Sequence, residues 1–350
     1  MGDNCLSLAI VTSNAGLRLE RAPAATIRTE QPGVWRGRGA RSSCGDAPRL
    51  RRGTVLRPNL FIIGAAKCGT TSLHHFLAQH PDVFMSHLKE PGFFVPEFRY
   101  HPKDPDWYLG LFAEAVGVRY AGESSTHYTK RPLFEGVAQR LYAFSPDARL
   151  IYVMRDPIER AISHYWHNTR SVRPEFHEKR PMLEALTQDP LYMAYGDYAM
   201  QLEPWLKFFG SDMVLTLVYE EVIQDQETEL DRLLAWLGQP PMPEGAGLER
   251  RNARPETITT LRGGGILERF RRSTLWDRLS PLAPRFLKDQ ALKLTTRQSA
   301  QRQEDRSDEA RQRLRPIARE QVRRLEELLE RSFPLWTTTS GDAGSNLKEN

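Results

Sequence analysis

The sequence predicts an α/β fold in three layers, a central parallel sheet flanked by helices. Continuous apolar runs occur at 59–63, 149–154 and 213–218, each bounded like a buried strand. Each is followed by an amphipathic stretch of helical period. Strands alternating with helices, with no internal repeat, define a parallel sheet covered on both faces.

The elements follow in order. Asn59–Ile63 is apolar and ends at Gly64; Leu73, Phe76 and Leu77 then mark a helix over 70–79, which Pro81 stops. Arg149–Met154 leads into a helix over 158–168, and Met213–Val218 into one over 227–237. Beyond Gly238 come Pro- and Gly-rich links, then charged helical stretches at 282–294 and 308–331. In the last, Leu314, Ile317, Val322, Leu325, Leu328 and Leu329 form one stripe, expected to dock and close the domain.

Composition narrows the classes of function. The chain has 350 residues, 40% hydrophobic and 27% charged, as in a globular protein of one or two domains. Cys5, Cys44 and Cys68 are far apart and odd in number, which argues against a disulfide-stapled secreted scaffold. They build no Cys/His zinc cluster, and a reducing cytoplasm fits best. The net charge of +5 equals the excess of nine Arg over Asp3, Glu20, Glu30 and Asp46 in residues 1–56, leaving 40 basic and 40 acidic side chains elsewhere. The basic character belongs to that segment and not to the body, so no nucleic-acid partner is expected.

Residues 1–56 are expected to be a disordered basic segment, 57–335 the domain and 336–350 a flexible tail. Leu6–Val11 is too short to span a bilayer, and Met1-Gly-Asp-Asn lacks the start of a signal peptide. No transmembrane segment is therefore expected.

Gly64-Ala-Ala-Lys-Cys-Gly-Thr-Thr-Ser72 lies between strand and helix. Backbone N–H groups there, with the positive end of the helix dipole, make an anion site, so the fold is expected to be P-loop-like. A nucleoside-triphosphate loop would carry Lys after the second Gly. Here Thr70 holds that position and the lysine comes earlier, at Lys67. The next strand ends in Arg155-Asp156, and Arg155 suits another phosphate better than a metal. A P-loop nucleotide kinase or NTPase stands as the alternative reading.

The run Gly64–Leu73 resembles the 5′-phosphosulfate loop of sulfotransferases that use 3′-phosphoadenosine 5′-phosphosulfate (PAPS), most of all the carbohydrate and heparan type and its bacterial relatives. Their second signature, an Arg at a strand end and a Ser eight residues on, is matched by Arg155 and Ser163. The likeness covers about residues 57–240, with weaker support to about 335. It implies PAPS as donor, no metal, and a small-molecule or glycan acceptor: a carbohydrate, a glycolipid or a hydroxylated metabolite. By the same resemblance Lys67 neutralises the leaving phosphate, and Lys67, Cys68, Gly69, Thr70, Thr71 and Ser72 hold it. Arg155 and Ser163 would bind the 3′-phosphate, and Tyr219 would lie against the adenine.

Lys89-Glu-Pro-Gly-Phe-Phe94 resembles the segment whose Glu serves as base, which assigns that role to Glu90 and places Lys89 near the donor sulfate. Burial beside Phe93 and Phe94 is expected to raise the Glu90 pKa. His87 and His127 are the other base candidates, since histidine titrates in the useful range. His127 lies in Gly122–Tyr128, which resembles the substrate-side loop. Gly196-Asp-Tyr198, with Gln201 and Trp205, resembles a helix bearing acceptor contacts, although Trp205 fits simple packing equally well. Cys68 has no partner base at a recognisable spacing and reads as a small loop residue. Arg250–Arg254 and Arg262–Gly265 are candidates to complete the 3′-phosphate site. Golgi members of the family are membrane-anchored, and many have a C-terminal disulfide; this chain has neither an apolar span nor a cysteine beyond Cys68.

Overall fold

The structure is a computed structural model describing residues 57–98, 100–171, 176–243, 247–248, 258–261, 296–299 and 307–338. Its first half contains β1 (Leu60–Gly64), α1 (Thr70–Leu77), β2 (Val83–Met85), α2 (Pro105–Gly110), β3 (Tyr120–Ser124), α3 (Val137–Phe144), β4 (Arg149–Met154) and α4 (Pro157–Thr169). There follow α5 (Met182–Gln188), α6 (Leu191–Ala194), α7 (Tyr198–Phe209), β5 (Val214–Val218), α8 (Tyr219–Gln224) and α9 (Gln226–Trp236). The last elements are β6 (Ile258–Leu261), β7 (Thr296–Ser299) and α10 (Ser307–Leu329).

Strands β1 to β5 form one parallel sheet in the order β2-β3-β1-β4-β5. All five residues of β1 are buried, as both faces are covered by helices. The α/β sheet expected from the apolar runs is the observed one. Among the described residues, β6 and β7 make a separate antiparallel pair.

Two strands of this sheet are not predicted from the apolar runs. β2 is only three residues long, and β3 reads Tyr-Ala-Gly-Glu-Ser yet is buried throughout. Gly122 explains the close fit: a Cβ there would come 2.9 Å from the Leu60 carbonyl and 2.7 Å from Met85 Sδ. The glycine lets β3 seat between β1 and β2.

In α10, Leu314, Val322 and Leu325 are buried as expected, but Ile317 is 52% exposed. The buried face is completed by Ala310, Ala318 and Gln321, so small residues let this helix approach α4, α5 and α7. The helical stretch expected at 282–294 lies outside the described residues, as does the segment 1–56. The boundary drawn at 335 falls inside packed structure. Phe333 and Trp336 are buried and stacked, with centroids 4.2 Å apart, and Thr338 is fully buried. Burying such rings contributes on the order of 2 kcal/mol each.

Candidate active site

Every residue expected to do chemistry, except Ser163, lies at or just beyond the carboxyl end of a sheet strand. Ser86–Glu90 follow β2, Ser125–Lys130 follow β3, Lys67 follows β1, Arg155 follows β4 and Tyr219 follows β5. Ligands of open parallel sheets bind in that crevice, where the strand order reverses. The sheet order thus sets Glu90 and His127 on one side of Lys67, and Arg155 and Tyr219 on the other. With strands about 4.8 Å apart, the ends of β2 and β4 are separated by roughly 14 Å.

The loop after β1 turns through Lys67 (φ 75°) and Gly69 (φ 86°) into α1. Glycine is required at 69 twice over, since a Cβ would also lie 3.1 Å from the Tyr219 ring. The first amides of α1 have no partner within the helix and face the crevice end of the loop. Arg155 comes from 88 residues away to place Nη1 3.5 Å from the Lys67 carbonyl, with its guanidinium 5.0 Å from the Tyr219 ring centre. Its backbone is fixed by Tyr198, whose hydroxyl donates to the Arg155 carbonyl at 2.7 Å and accepts from its amide at 3.1 Å. Burial, then the charges of Arg155 and Arg170, push the Lys67 pKa down. Lys67 in the loop and Arg155 beside it bring two half-buried cations together, an arrangement suited to an anion.

Cys68 is turned inward. Its sulfur sits 3.7 Å from the Tyr198 hydroxyl, its amide donates to Ala65 at 3.3 Å, and burial pushes its thiol up to about 11. Its side chain packs the loop from within. Thr70 is buried, while Thr71 and Ser72 are half-buried on the first turn. Ser163 is half-buried on α4, six residues beyond Pro157 and so about 9 Å along the axis. Among the described residues no hydrogen bond joins it to Arg155.

On the β2–β3 side, Glu90 (φ 61°) is the centre of a donor shell. Its carboxylate accepts from Lys89 Nζ at 2.8 Å, His127 Nδ1 at 3.1 Å, and the Thr126 amide at 2.8 Å. Burial acts to raise the Glu90 pKa, but His127 and Lys89 outweigh it and hold the carboxyl well below the usual range. The expectation that burial makes it a stronger base is therefore wrong. Lys89 pairs with Glu90, and His127 belongs to the same unit, its own pKa lowered by burial. His87 is exposed and pairs with Glu114, away from this unit.

The stretch resembling an acceptor-binding helix is used internally. Tyr198 holds Arg155, Gln201 bonds Arg131 and Ala194, and Trp205 is 1% exposed in the core. Arg250–Arg254 and Arg262–Gly265 lie outside the described residues.

Three groups escaped the sequence reading. Glu123 is fully buried, accepts from Tyr108 at 3.1 Å and from Tyr128, and burial pushes its carboxyl up to about 7. Burial also lowers Lys130 to about 8, and its ammonium lies 5.7 Å from the Tyr195 ring centre. His164 Nδ1 is buried without a hydrogen-bond partner, and its pKa is depressed by burial and by Arg160, Lys130 and Lys67. The sequence around Glu123, with Gly122 before it and Ser124 and Ser125 after it, reads as a turn and hid the buried carboxylate.

A parallel sheet with a helix-capping loop after β1 and a cation after β4 is a P-loop-like α/β architecture. Residues 57–252 match the model of the Sulfotransferase domain, and the chain belongs to that family. It is 35% identical over 218 residues to heparan sulfate glucosamine 3-O-sulfotransferase 3A1 of Mus musculus, covering 58% of this chain and 52% of that protein. It is 35% identical over 196 residues to the 3B1 enzyme of the same species, covering 53% and 47%. A crystal structure of a sulfotransferase from Alicyclobacillus acidocaldarius superposes with a TM-score of 0.55 at 27% identity, covering 79% of this chain and 98% of that one. The chain spans about half the length of the curated relatives it matches.

Proposed function

We propose that this protein transfers a sulfuryl group from PAPS to a hydroxyl of a carbohydrate acceptor. The observation that carries the reading is the meeting of Arg155 with the Lys67 loop, which sets two cationic centres on one ligand path. The residues fit a donor with two separate phosphates. Arg155 Nε is buried without a hydrogen-bond partner, and Gly69 leaves room beneath Tyr219 for close backbone approach. The carbohydrate class rests on the likeness to the two 3-O-sulfotransferases. A cytoplasmic site of action, suggested by the cysteine count, is part of the proposal, and cell fractionation tests it.

PAPS supplies the sulfuryl group on its 5′-phosphate. Lys67, held among other cations, balances the charge that builds on the leaving phosphate, and the amides at the start of α1 share it. Thr71 and Ser72 add hydroxyls on that turn, Arg155 and Ser163 read the 3′-phosphate, and Tyr219 lies against the adenine. Glu90 accepts the proton of the acceptor hydroxyl, which must take the place of one donor now on the carboxylate, from Lys89 or His127.

The kinase alternative loses its metal-holding carboxylate: Asp156 is 2% exposed and caps α4 through the Ile158 and Glu159 amides. The test is binding by calorimetry. Arg155→Ala is expected to weaken adenosine 3′,5′-bisphosphate at least about tenfold, while AMP binding changes little. Equal losses for both nucleotides would sink the assignment.

A further inference from the structure

We propose that the C-terminal segment 333–338 is a clasp that keeps Arg155 available to its ligand by occupying a competing carboxylate, Glu220. The inference rests on the reading of Arg155 as the 3′-phosphate residue.

Glu220 follows Tyr219 at the end of β5, and its Oε1 lies 4.0 Å from Arg155 Nε. That separation is an ion pair at its outer limit and too long for a hydrogen bond, and a small rotation of either side chain would tighten it into one. An arginine and a carboxylate free to meet form a strong charge-assisted pair, which would cancel the charge a phosphate needs. Both Glu220 oxygens are engaged elsewhere. Oε1 accepts from the Asp156 amide at 3.1 Å, and Oε2 accepts from the Trp336 indole Nε1 at 2.9 Å.

Trp336 is held for this purpose from two sides. Its ring stacks on Phe333 at 4.2 Å and 9°, and Arg331 just before them pairs with Glu221 on α8. Beyond it, Thr337 Oγ1 and the Thr338 amide donate to Asp156 Oδ2 at 2.9 Å, and Thr338 Oγ1 donates at 3.0 Å. Asp156 is the neighbour of Arg155 and supplies the other donor to Glu220. The segment therefore closes a ring, Trp336 to Glu220 to Asp156 to Thr338, around the backbone from which Arg155 projects. Trp336, Thr337 and Thr338 are positioning residues.

Trp336→Phe retains an aromatic ring to stack on Phe333 and removes the indole donor together with part of the ring volume, whose loss would weaken both nucleotides alike. In the full chain it is expected to raise the dissociation constant for adenosine 3′,5′-bisphosphate about tenfold, as for loss of one charge-assisted contact. AMP, which lacks the 3′-phosphate, should lose no more than the missing ring volume costs. Adding Glu220→Gln should restore most of the bisphosphate affinity, because the released side chain no longer carries the competing charge. Equal weakening of both nucleotides, no weakening, or no recovery in the double variant would overturn the clasp. Arg155→Ala in parallel separates the two readings. If it distinguishes the nucleotides and Trp336→Phe does not, the clasp alone fails. If Arg155→Ala does not distinguish them, the 3′-phosphate reading falls and the clasp with it.

Discussion

Glu90 shows how a residue found by resemblance can be wrongly understood without its neighbours. Reading Phe93 and Phe94 beside it led to an expected rise in pKa, because burial disfavours a carboxylate. The two groups that reverse this are His127, which arrives only when β2 pairs with β3, and Lys89, which is adjacent. An anion held so firmly stays ionised through the neutral range, and its oxygens are already occupied by donors. If Glu90 takes the proton, kcat/KM should show no acid limb where histidine titrates. Glu90→Gln should lower kcat by about 10²–10⁴-fold, with bisphosphate binding intact. Should His127 be the base, protonation would remove activity as pH falls below its lowered pKa, under the ordinary 6.5. Near-normal turnover in Glu90→Gln would hand the role to that histidine.

Among elements, β1, β4 and β5 were legible because burial on both faces demands unbroken apolar runs. β3 was not, since Gly122 and Glu123 interrupt its pattern, and its burial comes from tertiary pairing with β1 and β2. Glu123 gives this strand a measurable signature. Its carboxyl takes hydroxyls from Tyr108 on α2 and Tyr128 in the turn after β3, and burial sets its pKa at about 7 against an ordinary 4.5. The folded state therefore takes up a proton. This contribution to stability is complete below about pH 4.5 and is lost as pH rises through about 7. Glu123→Gln keeps an oxygen to accept both hydroxyls and removes the titration. Urea unfolding at about pH 5 and about pH 8 should show the variant losing up to roughly 3 kcal/mol less between the two than the unaltered protein. The same pH slope in both would mean Glu123 does not titrate in the fold.

For the molecule as a whole, the sheet order is the plan of the site. Lys67 and Arg155 were legible because each sits in a short motif after an apolar strand. Their contact was not, because it depends on β1 and β4 being neighbours, nor was the grip of Thr337 on Asp156 across 181 residues. The stripe of α10 was legible as a docking face, though Ile317 turned outward and alanines took the close contacts. Together these place the Glu90 carboxylate beyond β2, a cation beyond β1 and a second cation beyond β4, along one line across the sheet. The most direct measurement is transfer of labelled sulfate from PAPS by the full chain to acceptors separated into glycans, lipids and small metabolites. The account predicts label in a carbohydrate fraction, reduced at least about 100-fold in Lys67→Ala. Absence of label from every fraction, or transfer that survives unchanged in Lys67→Ala, would contradict it.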